Sequence, residues 1–137
     1  MKLKSIEFSK DSELLVIDKS AFSHSSIERI TIPSSVCQIG EFAFCSNNLK
    51  TIDNFENTKI RTIENDLFQW SSITNLSIPS TVEELKEGWS RGTPYLVSIN
   101  VSNKNDNFNC IDNKIIYGKS NNENNIFDVF LFASRDI

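Results

Sequence analysis

Apolar residues along this chain recur in a short fixed motif, apolar-x-x-apolar-x-apolar. It reads LKSIEF from Leu3, IERITI from Ile27, LKTIDN from Leu49, ITNLSI from Ile73 and LVSINV from Leu96. The starts lie 24, 22, 24 and 23 residues apart. The third copy is imperfect: Asn54 takes the last apolar place and Phe55 follows it. A second half-motif travels with each copy: IDKSAF (17–22), IGEFAF (39–44), IENDLF (63–68), LKEGWS (85–90) and IDNKII (111–116). In the fourth, the aromatic Trp89 stands one place early. Two linked patterns recurring at near-constant spacing are the signature of a repeat architecture.

The last apolar pair of each first half-motif has period two, which predicts a strand. One such strand cannot bury its apolar side alone, but stacked on the copies above and below it can, matching residues forming a ladder. Parallel strands need a crossover to return. The turn-rich PSSV and PSTV stretches and the second half-motif supply it. Pro33 and Pro79 fit strand ends, where the missing N–H does no damage. Phe22, Phe44 and Phe68 are expected to pack inward from the opposite side, on turns or brief 3₁₀ pieces. The polar residues between ladder positions then line up on one face. Ser5, Arg29, Thr51, Asn75 and Ser98 make one stripe, and Glu7, Thr31, Asp53, Ser77 and Asn100 the next. Repetition turns these ten residues into one concave candidate binding surface.

The finer pattern resembles one branch of the leucine-rich repeats. ITIPSSVCQIGEFAF resembles the I-x-I-P-x-x-V-x-x-I-G-x-x-A-F unit of BspA-like leucine-rich repeat proteins. These are found on the surfaces of oral bacteria and of flagellate and amoebic parasites. LVSINVSNKNDNFNCIDNKIIYG is similar to that family's variant unit, with Asn113 where the family often has glycine. The resemblance implies a leucine-rich repeat solenoid. Its parallel β-sheet curves along a concave face, with short turns or 3₁₀ segments on the convex side. It implies that IIYGKSNNENNIFDVFLF is a C-terminal β-hairpin with residues 121–125 at its tip. It also implies an adhesion role at the cell surface, toward host cells, matrix proteins or other microbes. The third repeat lacks the I-P step and the fourth the A-F ending, so local irregularities are expected there. Residues 1–137 read as a single array. With no polar cap before Leu3, and a stop at ASRDI where another repeat would begin, it reads as a fragment of a longer protein.

Composition narrows the class further. The 137 residues are 39% hydrophobic and 23% charged, with ten phenylalanines and two tryptophans for a core. The net charge is −4 and no Lys/Arg run appears, which argues against nucleic acid as a partner. No apolar run reaches the roughly 18 residues of a membrane span, and MKLKSIEFSK has no signal-peptide core. As given, the chain would be cytoplasmic; as a fragment, it is assigned by the resemblance to the cell surface. Cys37, Cys45 and Cys110 are an odd count without a C-x-x-C pair, so free thiols are expected, one disulfide being the alternative. Metal ligation is not expected, since His24 is the only histidine and the cysteines lack finger spacing.

No constellation for catalysis or cofactor binding emerges, and the chain is read as a non-enzyme without cofactor. His24 sits in the Ser-rich SHSS loop as an exposed side chain. YGKS (117–120) ends like a phosphate loop but lacks its first glycine. The glutamates of VEELKEGW (82–89) read as a solvated turn rather than an acid–base pair. Asn75-Leu76-Ser77 and Asn100-Val101-Ser102 are glycosylation sequons on the predicted stripes. A protein-binding or adhesion module is the leading function, taking a protein or glycan through the concave face. Arg29 and Asp53 are its foremost contacts, since charges steer and set register. An intracellular scaffold with the same face is the alternative, and a mere spacer array a third reading.

Overall fold

A computed structural model describes residues 2–46, 48–120, 123, 127 and 129–133. Among them the chain forms twelve short strands. These are β1 (Ser5–Ile6), β2 (Val16–Ile17), β3 (Arg29–Thr31), β4 (Gln38–Ile39), β5 (Thr51–Asp53), β6 (Thr62–Ile63), β7 (Asn75–Ile78), β8 (Glu84–Leu85), β9 (Ser98–Val101), β10 (Asn109–Ile111), β11 (Ile115–Gly118) and β12 (Val129–Ala133).

The first half-motif forms the expected parallel ladder. β1, β3 and β5 lie side by side, matching Ser5 to Arg29 to Thr51 and Ile6 to Ile30 to Ile52. β7 and β9 pair in the same way, Asn75 to Ser98 through Ile78 to Val101. Because side chains alternate across a strand, this register sends Ile30, Leu76 and Ile99 inward, where each is at most 3% exposed. Pro33 and Pro79 follow just beyond β3 and β7, at strand ends as expected.

The second half-motif makes a ladder of its own, which the sequence reading did not foresee. β2 pairs with β4 and β6 with β8, both parallel. Ile17, Ile39 and Ile63 from these strands close the interior. Each repeat makes one coil of the solenoid, coils 1 to 4 beginning at β1, β3, β5 and β7, and Gly40 follows β4 where the backbone of coil 1 comes close. A β-carbon there would lie 2.5 Å from the Lys19 nitrogen, so only glycine fits.

The turns after these strands stack as well. Ser20, Phe22 and His24 each donate a backbone N–H to coil 2, at Glu41, Ala43 and Cys45 (2.8–2.9 Å). Their side chains alternate, so Phe22, Phe44 and Phe68 point inward. The rings stack at 5.9 and 5.7 Å, nearly parallel, and Phe55 meets Phe68 edge-on. Offset stacking of this kind adds to the burial of the rings.

The two irregular repeats depart where the sequence predicted. At Asn54 the third coil turns left-handed (φ 65°) into a 3₁₀ turn at Phe55–Asn57. The Asn54 carboxamide donates to the Ile32 carbonyl (2.7 Å), a polar substitute for the missing apolar rung. The strand ladder is interrupted here: β5 and β7 belong to separate sheets. In the fourth coil the turn ladder slips by one residue. Ser20 of coil 1 donates to Glu41, just before the matching left-handed residue Phe42 of coil 2, and His24 to Cys45, just before the matching Ser46. Asp66 and Trp70 instead donate to the matching residues themselves, Gly88 and Gly92. Trp89 is buried one place early and packs 5.4 Å from Phe132.

The predicted hairpin is present. β11 and β12 run antiparallel, and β10 adds a third strand on the other side of β11. A bulge between Ile116 and Tyr117 leaves Leu131 without a direct partner. Phe132 then faces the core and Phe130 is exposed. The Asn-rich tip at 121–125, apart from Glu123, lies outside the described residues.

Phe44 is the centre of the aromatic column. Phe44→Ala is expected to lower the unfolding free energy by about 3–5 kcal/mol. Leu15→Ala, at a solvent-facing position, should change it by no more than about 0.5 kcal/mol. Urea denaturation monitored by far-UV circular dichroism measures both.

Candidate functional site

The ten stripe residues occupy the outward positions of the strand ladder or the position next to it. Ser5, Arg29 and Thr51 align across β1, β3 and β5, and Thr31 aligns with Asp53. Glu7 lies just past β1 and is exposed. Asn75 aligns with Ser98 and Ser77 with Asn100 across β7 and β9. The structure therefore brings the ten together as two panels, divided at the Asn54 turn, not as one continuous ladder.

The panels differ in chemistry. The first is charged and internally paired. Arg29 Nε lies 2.6 Å from Asp53 Oδ2, and Lys4 Nζ 2.9 Å from Glu28 Oε1. Both pairs join residues 24 apart in sequence, one full coil. Arg29 and Asp53 thus satisfy one another across β3 and β5. Exposed pairs of this kind contribute little net stability, on the order of 0–1 kcal/mol. What they add is a charge match specific to this register, each joining residues one coil apart. The hydrogen bond from Lys4 lowers the pKa of Glu28, helped by the positive charges of Lys4 and Lys50. The second panel is uncharged: Asn75, Ser77, Ser98 and Asn100 present only amides and hydroxyls. Cys110 donates its thiol to the Asn100 carboxamide oxygen at 3.7 Å.

His24 is an exposed turn residue with its ring beside Trp70. Tyr117 and Gly118 of YGKS lie in β11, on a strand and not in a loop before a helix. Glu83 and Glu84 face solvent, near Arg61 (3.9 Å) and Lys86 (3.3 Å) respectively. Cys37, Cys45 and Cys110 are all free thiols, and burial pushes the Cys45 thiol up. Sequence reasoning missed a cleft of about 200 Å³ between β8 and the hairpin, walled by Leu85, Phe108 and Leu131. No periodicity signals it, because it forms where the hairpin leaves the solenoid.

A parallel-strand solenoid with this repeat spacing defines a leucine-rich repeat protein. The chain belongs to the family described as BspA type leucine rich repeat region (6 copies), whose profile matches residues 1–123. Among solved structures it is similar to the pneumococcal vaccine antigen PcpA. Identity is 29% over 86% of this chain and 29% of that one, with a TM-score of 0.74. It shares the fold of a leucine-rich repeat protein from Eubacterium ventriosum ATCC 27560. Identity is 24% over 77% of this chain and 34% of that one, with a TM-score of 0.60. The chain thus spans about a third or less of the length of these two solved relatives. No curated protein matches it. Leucine-rich repeat domains generally bind proteins and are generally non-catalytic. Among the described residues no helix is long and apolar enough to cross a membrane.

The Glu28 shift gives a pH prediction. A carboxyl held low is favoured as carboxylate in the folded state. Its contribution is present above the ordinary carboxylate range and is lost as pH falls through the lowered value. Lys4→Ala removes the leading cause, so the Glu28 titration midpoint should rise toward that of a free glutamate. Side-chain carboxyl NMR across pH 2–6 reads it, and an unmoved midpoint contradicts the assignment.

Proposed function

We propose that this chain is a non-catalytic protein-binding module that engages its partner through the strand-face stripes, as part of a cell-surface protein. The observation that carries this reading is the pair of in-register strand panels, which hold nine of the ten polar side chains at matched positions, with Glu7 just past β1. Preorganised side chains lose little entropy on binding. Family membership supports the surface assignment, and the neighbour at 29% identity is described as a vaccine antigen, a label that fits an exposed protein. A matrix protein, a host-cell protein or a glycan is the partner this role calls for. The charged first panel suits a partner whose charges compete for Arg29 and Asp53. The neutral second panel suits a hydrogen-bonding surface.

An intracellular scaffold is the second reading. Three free thiols, one of them exposed at Cys37, favour a reducing compartment. Antibody labelling of intact against permeabilised native cells separates the two. Signal on intact cells supports the surface module, and signal only after permeabilisation supports the scaffold.

Replacing Arg29, Asp53 and Asn75 together with alanine tests the binding face. All three lie on the surface, so the thermal midpoint should move by no more than a few degrees. Binding to native cells or to immobilised matrix protein should fall by at least about tenfold, equivalent to 1.4 kcal/mol. Unchanged binding removes the strand face from the mechanism.

A further inference from the structure

The turn ridge carries side chains that the strand stripes lack. Trp70 is 54% exposed, and its ring centroid lies 6.1 Å from that of His24, tilted by 48°. Both residues are left-handed, with φ of 63° and 56°. At the matching place in coil 4 stands Gly92, with φ of 70°, the residue type for which this conformation carries no β-carbon penalty. The turn imposes the conformation but not the tryptophan. Its backbone is fixed without the ring, since the Trp70 N–H donates to the Gly92 carbonyl at 2.7 Å. Core packing does not account for the ring either. The other tryptophan, Trp89, is 6% exposed and packed on Phe132, whereas Trp70 leaves more than half its surface to water. A bulky aromatic kept in the left-handed region, and kept exposed, is the kind of local cost that accompanies a functional site.

The surroundings of the indole indicate what it holds. His24 stands beside it, its ring tilted against the indole. An exposed indole with an imidazole beside it matches the two-sided chemistry of a sugar. The C–H face of a pyranose covers the indole, and its hydroxyls meet donors and acceptors at the rim. We propose that Trp70, with His24 beside it, is a stacking site for a neutral pyranose on the turn ridge. This goes beyond the strand-face reading and uses a different surface.

The test titrates the intact chain with methyl glycosides of glucose, galactose, mannose and N-acetylglucosamine. Their tri- and tetrasaccharides form a second arm, and immobilised cell-surface glycans a third. Tryptophan emission is the readout, because Trp70 is water-facing and Trp89 is not. The expected result is a saturable blue shift in the millimolar range for at least one monosaccharide. It should tighten about tenfold for the oligosaccharide that extends along the ridge. Response to free monosaccharide alone marks a free-sugar site; response in the oligosaccharide and immobilised arms marks a cell-surface glycan; both support the proposal. Trp70→Gly restores the residue type of coil 4. It should abolish the shift while the thermal midpoint stays within about 2 °C of the parent or rises. His24→Ala should weaken binding by about fivefold or more. The Arg29, Asp53, Asn75 triple variant should bind sugar normally, so loss of the strand-face function and loss of this site are told apart. No saturable response to any pyranose up to about 50 mM, far above the range expected for one stacked ring, overturns the proposal. A fall of more than about 5 °C in Trp70→Gly also overturns it, since the ring would then be structural.

Discussion

The structure depends on each coil presenting the same surface to the next. A two- or three-residue strand is too short to be stable alone, and here its stability comes from neighbours one coil away. The constraint is met in several ways at once. Strand backbones pair between Arg29 and Thr51 or Asn75 and Ser98, and turn backbones pair between Phe22 and Ala43. Apolar side chains of one column share a dry interior from Ile30 to Ile99. Side chains reinforce it by bonding to the neighbouring backbone. Ser35 donates to the Leu14 carbonyl and Thr81 to that of Ile60, both at 2.6 Å, 21 residues apart. Asn105 repeats the device with the Pro79 and Val82 carbonyls.

The same constraint explains the irregular places. Where Asn54 replaces an apolar rung, its amide can still reach the coil below, but the strand ladder cannot continue unchanged. The chain answers with a 3₁₀ turn that sends Phe55 into the core in compensation. Where Trp89 arrives one residue early, the turn ladder shifts by one and the larger ring leans on the hairpin. These adjustments divide the strand face into a charged panel and a neutral one. A functional property, the chemistry offered to a partner, thus follows from a packing accommodation.

Charge enters the fold through the same periodicity. Lys19 meets Glu41 at 3.1 Å, and Arg29 meets Asp53, across neighbouring coils. Each pair is worth little by itself. Together they penalise a slipped register, in which like charges would face. The strand face is therefore largely neutralised within itself. Exposed aromatic surface lies on the turns at Trp70 and Tyr95 and on the hairpin at Phe130. Aromatic side chains dominate the energetics of many interfaces, so the two sides of the solenoid offer a partner different kinds of contact.

Much of this was legible in the residues. The spacing of Ile27, Ile30 and Ile32 against Ile73, Leu76 and Ile78 determined the parallel ladder, because one period shared by many copies can bury its apolar side only by stacking. Pro33 and Pro79 marked strand ends, since proline has no N–H to give. The missing apolar residue at Asn54 and the early Trp89 announced where regularity would fail. The ten stripe positions followed from alternation alone. Tertiary structure decided what depends on distances between coils. Nothing local shows that Val16–Ile17 and Gln38–Ile39 form a second ladder, because two residues carry no readable period. Nor does the sequence show that Arg29 and Asp53 neutralise each other, or that β5 and β7 part. The left-handed turn that sets Trp70 beside His24 is likewise a product of stacking: the two residues are 46 apart in sequence and meet only because coil 2 holds coils 1 and 3 at a fixed pitch.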